Sequence, residues 1–250
     1  MTMWIAVILW LGLFQPAQQT DFCYALAEPY KHWPLYLEVT EQLDTCTHNW
    51  YTADVFLEDE RHTPSIWNHV YRPSIPDLVR LAETYPGRYW LLYNEPELPM
   101  QANTTPNDAA IHARYWMEAI GENGETACCG LSIDERLPWD TWLNAYLEAG
   151  GPVPDLWHIH IYAENPETFE RRWALWQAWN AEHGELKTII SEAGFGVEMY
   201  EYLRSWQHEN VPRLYWFGLY EPMQVQGLCP SCIQQLYMPM VGDWRIEDAP

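Results

Sequence analysis

At 250 residues the chain has room for one large α/β domain and too little for two comfortable ones. Thirteen Lys and Arg against 35 Asp and Glu give a net charge of −22, which excludes a nucleic-acid footprint and disfavours anionic membranes and polyanionic glycans. Sixteen Trp and sixteen Tyr point the other way, because the flat C–H faces of neutral sugars pack on aromatic rings, although many such rings simply fill core layers.

The chain opens on an apolar run at residues 4–14, followed by Pro16-Ala17-Gln18-Gln19. The run has the length of a secretory signal and falls short of the roughly 20 residues of a membrane span, yet no Lys or Arg precedes it. Residues 1–20 are therefore expected to be a signal peptide or an apolar N-terminal segment, and 21–250 the folded domain. The expected location is secreted or extracytoplasmic, and otherwise cytoplasmic. Of six cysteines, Cys128-Cys129 fall in an apolar run and read as small apolar residues. Cys229-Pro230-Ser231-Cys232 has the spacing of a small disulfide loop, half a metal site or a redox pair, and the disulfide loop is the preferred reading.

Weak strand signals at 22–27, 43–51 and 66–71 are followed by stronger ones beginning near Leu91, Ala127, Trp157, Thr188 and Leu214. The gaps hold amphipathic helices. Thr105-Pro106-Asn107-Asp108 is a helix start, with Thr as N-cap and Pro at the first helical position, and Ala109, Ala113, Trp116 and Ile120 then share a face. Phe169, Trp173 and Trp176 precede a stop at Gly184, and Met199, Leu203 and Trp206 form a third helix ending before Pro212. A strand–helix unit repeating every roughly 30 residues predicts a single (β/α)₈ barrel with irregular early strands. A doubly wound sheet is the second choice, without a Gly-rich phosphate loop to support it.

In such a barrel the strand ends converge on one mouth. Tyr93-Asn94-Glu95-Pro96-Glu97 follows the apolar run of the fourth strand, and Glu192 follows Thr188-Ile189-Ile190-Ser191 on the seventh. Two carboxyls so placed can cleave a glycosidic bond, one protonating the leaving oxygen and one attacking the anomeric carbon. Glu28-Pro29 and Glu221-Pro222 also follow apolar runs, but neither is preceded by Asn. His158, His160 and Tyr162 alternate on one face of the sixth strand: His160 or Tyr162 is expected to orient Glu192 or touch sugar, and His158 to be a polar lining or core residue. Trp216, inward on the eighth strand by alternation, is expected under the sugar ring, and Trp50 and Tyr51 in the cleft or core. Asn94 and Glu97 complete the expected substrate contacts. No metal or cofactor is expected. The alternatives are a non-catalytic carbohydrate-binding barrel and a metal-dependent hydrolase using His158 and His160.

Asn94-Glu95-Pro96, Ser191-Glu192, His158-Ile159-His160-Ile161-Tyr162 and Tyr215-Trp216-Phe217-Gly218, in that order, resemble the clan A retaining glycoside hydrolases. The run from Asn94 to Ala110 is most similar to glycoside hydrolase family 128, compact β-1,3-glucanases. The chain departs from that pattern in having Ala193-Gly194-Phe195 where an aromatic usually follows the nucleophile. The resemblance implies Glu95 as acid/base, Glu192 as nucleophile, Asn94 on the sugar 2-hydroxyl and an oligo- or polysaccharide substrate; a monomer is expected.

Overall fold

The computed structural model describes residues 19–26, 45–49, 57–70, 72–194 and 196–219. Nine strands are assigned: β1 (Asp21–Leu26), β2 (Thr47–Asn49), β3 (His62–Thr63), β4 (Ser65–Ile66), β5 (Arg88–Leu92), β6 (Gly124–Ser132), β7 (Leu156–Tyr162), β8 (Thr188–Gly194) and β9 (Arg213–Leu219). All pair in parallel, in the order β3-β2-β1-β9-β8-β7-β6-β5-β4. The two ends of that order are separated in sequence by Pro64 alone. Thr47 pairs with His62 on one side of this proline, and Ser65 with Leu91 on the other. Proline has no N–H to give a ladder, but the Pro64 carbonyl still accepts from the Leu91 amide at 2.9 Å. β3 and β4 are thus one barrel strand bent at Pro64, and the sheet is an eight-stranded (β/α)₈ barrel.

That third strand lies at 62–66 and not at 66–71 as the sequence suggests. His62, Thr63 and Ser65 are buried and polar, so no apolar run marks the strand. The first two strands fall where expected as far as they are described, and Tyr71, Trp50 and Tyr51 lie outside the described residues, as do residues 1–18, Glu28-Pro29, Phe195, Glu221-Pro222, Cys229 and Cys232. No helix among the described residues is long and apolar enough to cross a membrane.

The helices α1 (Ile75–Thr84), α2 (Pro106–Ile120), α3 (Trp139–Glu148), α4 (Pro166–Glu182) and α5 (Gly196–Ser205) lie on the outside of the barrel. Three of them start by the same device. Ser74, Thr105 and Asn165 accept the amides of Asp77, Asp108 and Thr168, and a proline opens each helix. The expected face of α2 is the buried one, and Gly184, at φ +104°, follows α4.

Two apolar layers result. The lumen holds Cys23, Ala25, Leu91, Ala127, Leu156, Ile189 and Tyr215. The shell between barrel and helices holds the large ones, with Trp90, Trp116, Trp157, Trp176 and Trp216 all fully buried. Trp216 is a correction. Tyr215 faces the lumen and bonds the Thr63 hydroxyl at 2.6 Å, and Phe217 packs edge-on to Tyr162 at 5.8 Å, so Trp216 between them points outward onto Tyr200 of α5, 5.2 Å away at 81°. Cys128 and Cys129 are buried as expected but bonded to each other, and Cys23 pairs with Cys46 ahead of β2.

Trp176 touches Trp139, Trp157 and Trp179, and its Nε1 donates to the Thr188 hydroxyl at 3.0 Å. Trp176→Ala should therefore cost roughly 3–5 kcal/mol in denaturant unfolding; a loss below about 1 kcal/mol would mean the shell does not hold α4 to the barrel.

Candidate active site

β5 stops at Leu92, and the next residues leave the barrel wall by an unusual backbone path. Tyr93 has φ +71° and Glu95 φ +46°, left-handed conformations that side-chain-bearing residues rarely adopt. Four hydrogen bonds hold them there: Tyr93 N to Ile66 O at 2.7 Å, Asn94 N to Trp67 O at 3.2 Å, Glu95 N to Gly130 O at 2.8 Å, and the Tyr93 hydroxyl to Ala109 O at 3.0 Å. The Tyr93 ring goes outward against Trp116, which leaves Glu95 directed to the mouth. Gly130, at φ +67°, is required here, because a Cβ would lie 2.8 Å from both the Tyr93 carbonyl oxygen and His158 Cε1.

The seventh barrel strand, β8, carries a bulge. Ile190 pairs with Ile159, but Glu192 pairs with His160, so Ser191 is an extra residue opposite none. Strict alternation would send Ser191 inward and Glu192 outward. With the bulge, both face the lumen.

Glu95, His160, Tyr162 and Glu192 meet at the mouth. His160 Nδ1 stands 3.2 Å from Glu95 Oε1 and 3.4 Å from Glu192 Oε2, and only an Nδ1–H can serve two carboxylates. The two oxygens are therefore at most 6.6 Å apart (3.2 + 3.4). The Tyr162 hydroxyl donates to the same Glu192 oxygen, while Glu192 Oε1 is buried without a partner among the described residues. Burial drives the Glu192 carboxyl up to about 7, against the pull of His160, and the charge on Glu95 adds to the rise. Burial alone would lower the His160 pKa, but the Glu192 and Glu95 carboxylates outweigh it and raise it.

The strand that carries this chemistry is braced from outside. Buried Arg172 donates to the Tyr162 carbonyl and to Asp134, whose carboxyl the Arg136 guanidinium holds well below the usual range. Asn94 is buried beside Glu95, with Nδ2 3.4 Å from Gln101 Oε1. Glu97 does not present its whole carboxylate to a ligand: Oε1 accepts the Ser132 amide of β6 at 2.7 Å, and burial raises its pKa to about 7.

The two histidines of β7 share a face as expected but do different things. His158 Nε2 is 2.8 Å from the Leu92 carbonyl and Nδ1 is 2.9 Å from the Ser191 hydroxyl, so both ring nitrogens are engaged and the pair does not form a metal site. Among the described residues no group of three or more His, Cys, Asp or Glu could hold a metal. His48, 2.6 Å from the Ser191 carbonyl, escaped the sequence reading. Its one signal was its place at the end of the second strand.

Residues 38–233 match the family model described as the glycosyl hydrolase catalytic core. The chain belongs to that family. Among solved structures, this glycosyl hydrolase resembles a family 128 (subgroup I) endo-β-1,3-glucanase from Amycolatopsis mediterranei, at 15% identity and TM-score 0.61 over 80% of this chain and 89% of that one. It also resembles a subgroup II endo-β-1,3-glucanase from Pseudomonas viridiflava, at 18% identity and TM-score 0.59 over 80% and 87%. A third is a curdlan-specific exo-β-1,3-glucanase of subgroup III from Blastomyces gilchristii, at 18% identity and TM-score 0.59 over 79% and 89%. The fold is theirs. A search of curated proteins gave no match.

Tyr162 favours the ionised form of Glu192, so its removal raises the Glu192 pKa further. If an ionised Glu192 is required, activity is lost as pH falls through that pKa. Tyr162→Phe should then move the acid limb of kcat/KM to higher pH and cost more activity at pH 6 than at pH 8. An unmoved limb would separate Tyr162 from the ionisation of Glu192.

Proposed function

We propose that this glycosyl hydrolase cleaves β-1,3-linked glucan by double displacement with retention, Glu95 acting as acid/base and Glu192 as nucleophile. The observation that carries the reading is His160 bonded between the two carboxyls. Retaining enzymes hold their carboxyls about 5–5.5 Å apart and inverting ones about 6.5–9.5 Å, to admit a water. The 6.6 Å limit between these oxygens admits the retaining separation and leaves only the lower edge of the inverting range.

The geometry suits each step. Glu95, protonated, gives its proton to the leaving oxygen while Glu192 attacks the anomeric carbon from the opposite face. His160 and Tyr162 remain on Glu192 Oε2, which leaves the unpartnered Oε1 to form the bond. Glu95, then ionised, takes the proton of the water that releases the sugar. A binding protein on a degenerate barrel has no use for two buried carboxyls, which cost stability wherever they sit.

The net charge of −22 supports a neutral glycan, and the β-1,3-glucanase activity of the structural relatives supports the linkage. Glutamate variants of the Amycolatopsis enzyme were crystallised with laminari-oligosaccharides, and their two substituted positions stand 97 residues apart (199 − 102). Glu95 and Glu192 have the same separation (192 − 95). The Cys23–Cys46 disulfide is in keeping with export to an oxidising compartment.

Proton NMR of laminari-oligosaccharide hydrolysis tests the stereochemistry: the β-anomer of the new reducing end should appear first, and α-anomer first would mean inversion. Glu192→Ala and Glu95→Gln should each lower kcat on the same substrate by roughly 10²–10⁴-fold or more. Activity that survives either change would remove that residue from the mechanism.

A further inference from the structure

The bulge that turns Glu192 inward leaves Ser191 outside the regular ladder, and a buried backbone group without a ladder partner must find another. The Ser191 carbonyl takes the Nε2–H of His48 on β2, at 2.6 Å. The Ser191 hydroxyl lies 2.9 Å from His158 Nδ1, and His158 Nε2 lies 2.8 Å from the carbonyl of Leu92, the last residue of β5. A carbonyl can only accept, so Nε2 carries the proton and Nδ1 is the acceptor; the serine hydroxyl donates to it, with the Ile159 carbonyl a second, longer acceptor at 3.3 Å. Burial holds the His158 pKa well below the ordinary imidazole value, which keeps this neutral tautomer in place. His48 is fixed in turn by the Tyr215 ring, edge-on at 4.7 Å.

We propose that His48 and His158 are positioning residues that clamp Ser191 from both sides and so set where Glu192 stands relative to Glu95. The line Leu92–His158–Ser191–His48 crosses the lumen from the strand that ends in the acid/base to the strand that carries the nucleophile, and on to β2. His158 sits two residues before His160 on the same face of β7, one layer deeper than the carboxyls, so it acts through the backbone and not on the sugar. Gly130 makes the space it needs, since a Cβ there would meet the imidazole. The inference rests on Glu192 being the nucleophile.

Ser191→Ala removes one oxygen and cuts the link to His158. Displacement of the attacking oxygen by an ångström can cost on the order of 10²-fold, so kcat should fall roughly 10–100-fold with KM within about threefold. The loss in kcat/KM should be as large on a dinitrophenyl β-laminaribioside as on laminari-oligosaccharide. In kcat/KM, which ends at formation of the glycosyl-enzyme, a leaving group that needs no proton does not feel a displaced Glu95, but it still feels a displaced nucleophile. His48→Gln, whose side-chain amide can donate from about the position of Nε2, should keep most of kcat, and His48→Leu, of similar volume without a donor, should lose it. Equal kcat in His48→Gln and His48→Leu, or Ser191→Ala that melts earlier yet turns over normally, would overturn the clamp. Glu192→Ala, assayed in parallel on the aryl substrate, separates the two claims: if it is inactive while Ser191→Ala is not impaired, only the clamp fails; if it remains active, the nucleophile assignment fails first.

Discussion

Two carboxyls and an imidazole, all buried and within one hydrogen-bond shell, form the constraint on which the rest of the molecule depends. In water the two acids would ionise independently near pH 4.5 and repel weakly. Out of water each charge costs several kcal/mol, and a second charge beside it costs more. His160 between them and Tyr162 on Glu192 offset part of that cost, and the remainder leaves Glu192 with a pKa near 7. Such a site relaxes apart unless the wall behind it is rigid.

Rigidity comes in layers. The shell of fully buried tryptophans fixes the helices to the outside of the barrel, and aliphatic residues plus Tyr215 fill the lumen. Above that packing the backbone departs from regularity at the site itself: positive φ at Tyr93 and Glu95, room at Gly130, an extra residue at Ser191. Strained or irregular backbone of this kind costs on the order of 1–3 kcal/mol per residue and persists only when the surroundings over-determine it. Here the surroundings are specific hydrogen bonds between neighbouring strand ends. The ion pairs of Arg172 and Arg136 with Asp134 do the same for the end of β7.

Much of this was readable from the residues. Parallel strands covered on both faces appear as short apolar runs, which is why Trp90-Leu91-Leu92 and Ile189-Ile190 stood out and why the glutamates just beyond them could be named. Thr105-Pro106 showed a helix start by a capping rule that needs no tertiary context. What escaped depended on which way a side chain faces. The bulge at Ser191 reverses the parity of the last residues of β8, and nothing local in Ser191-Glu192 announces it. Trp216 looked inward on an assumed parity, whereas its neighbours Tyr215 and Phe217 take the lumen. The third strand was misplaced because a lumen lined by His62, Thr63 and Ser65 reads as polar loop.

The most direct measurement is covalent. A laminaribioside carrying fluorine at C2 of the ring to be cleaved and a dinitrophenolate leaving group should form its glycosyl-enzyme faster than water can release it. Peptide mapping by mass spectrometry should then find one sugar adduct, on the peptide containing Glu192, and none in Glu192→Ala. An enzyme that hydrolyses the unmodified glucan yet gains no adduct, or that carries it on Glu95, would contradict nucleophilic attack by Glu192.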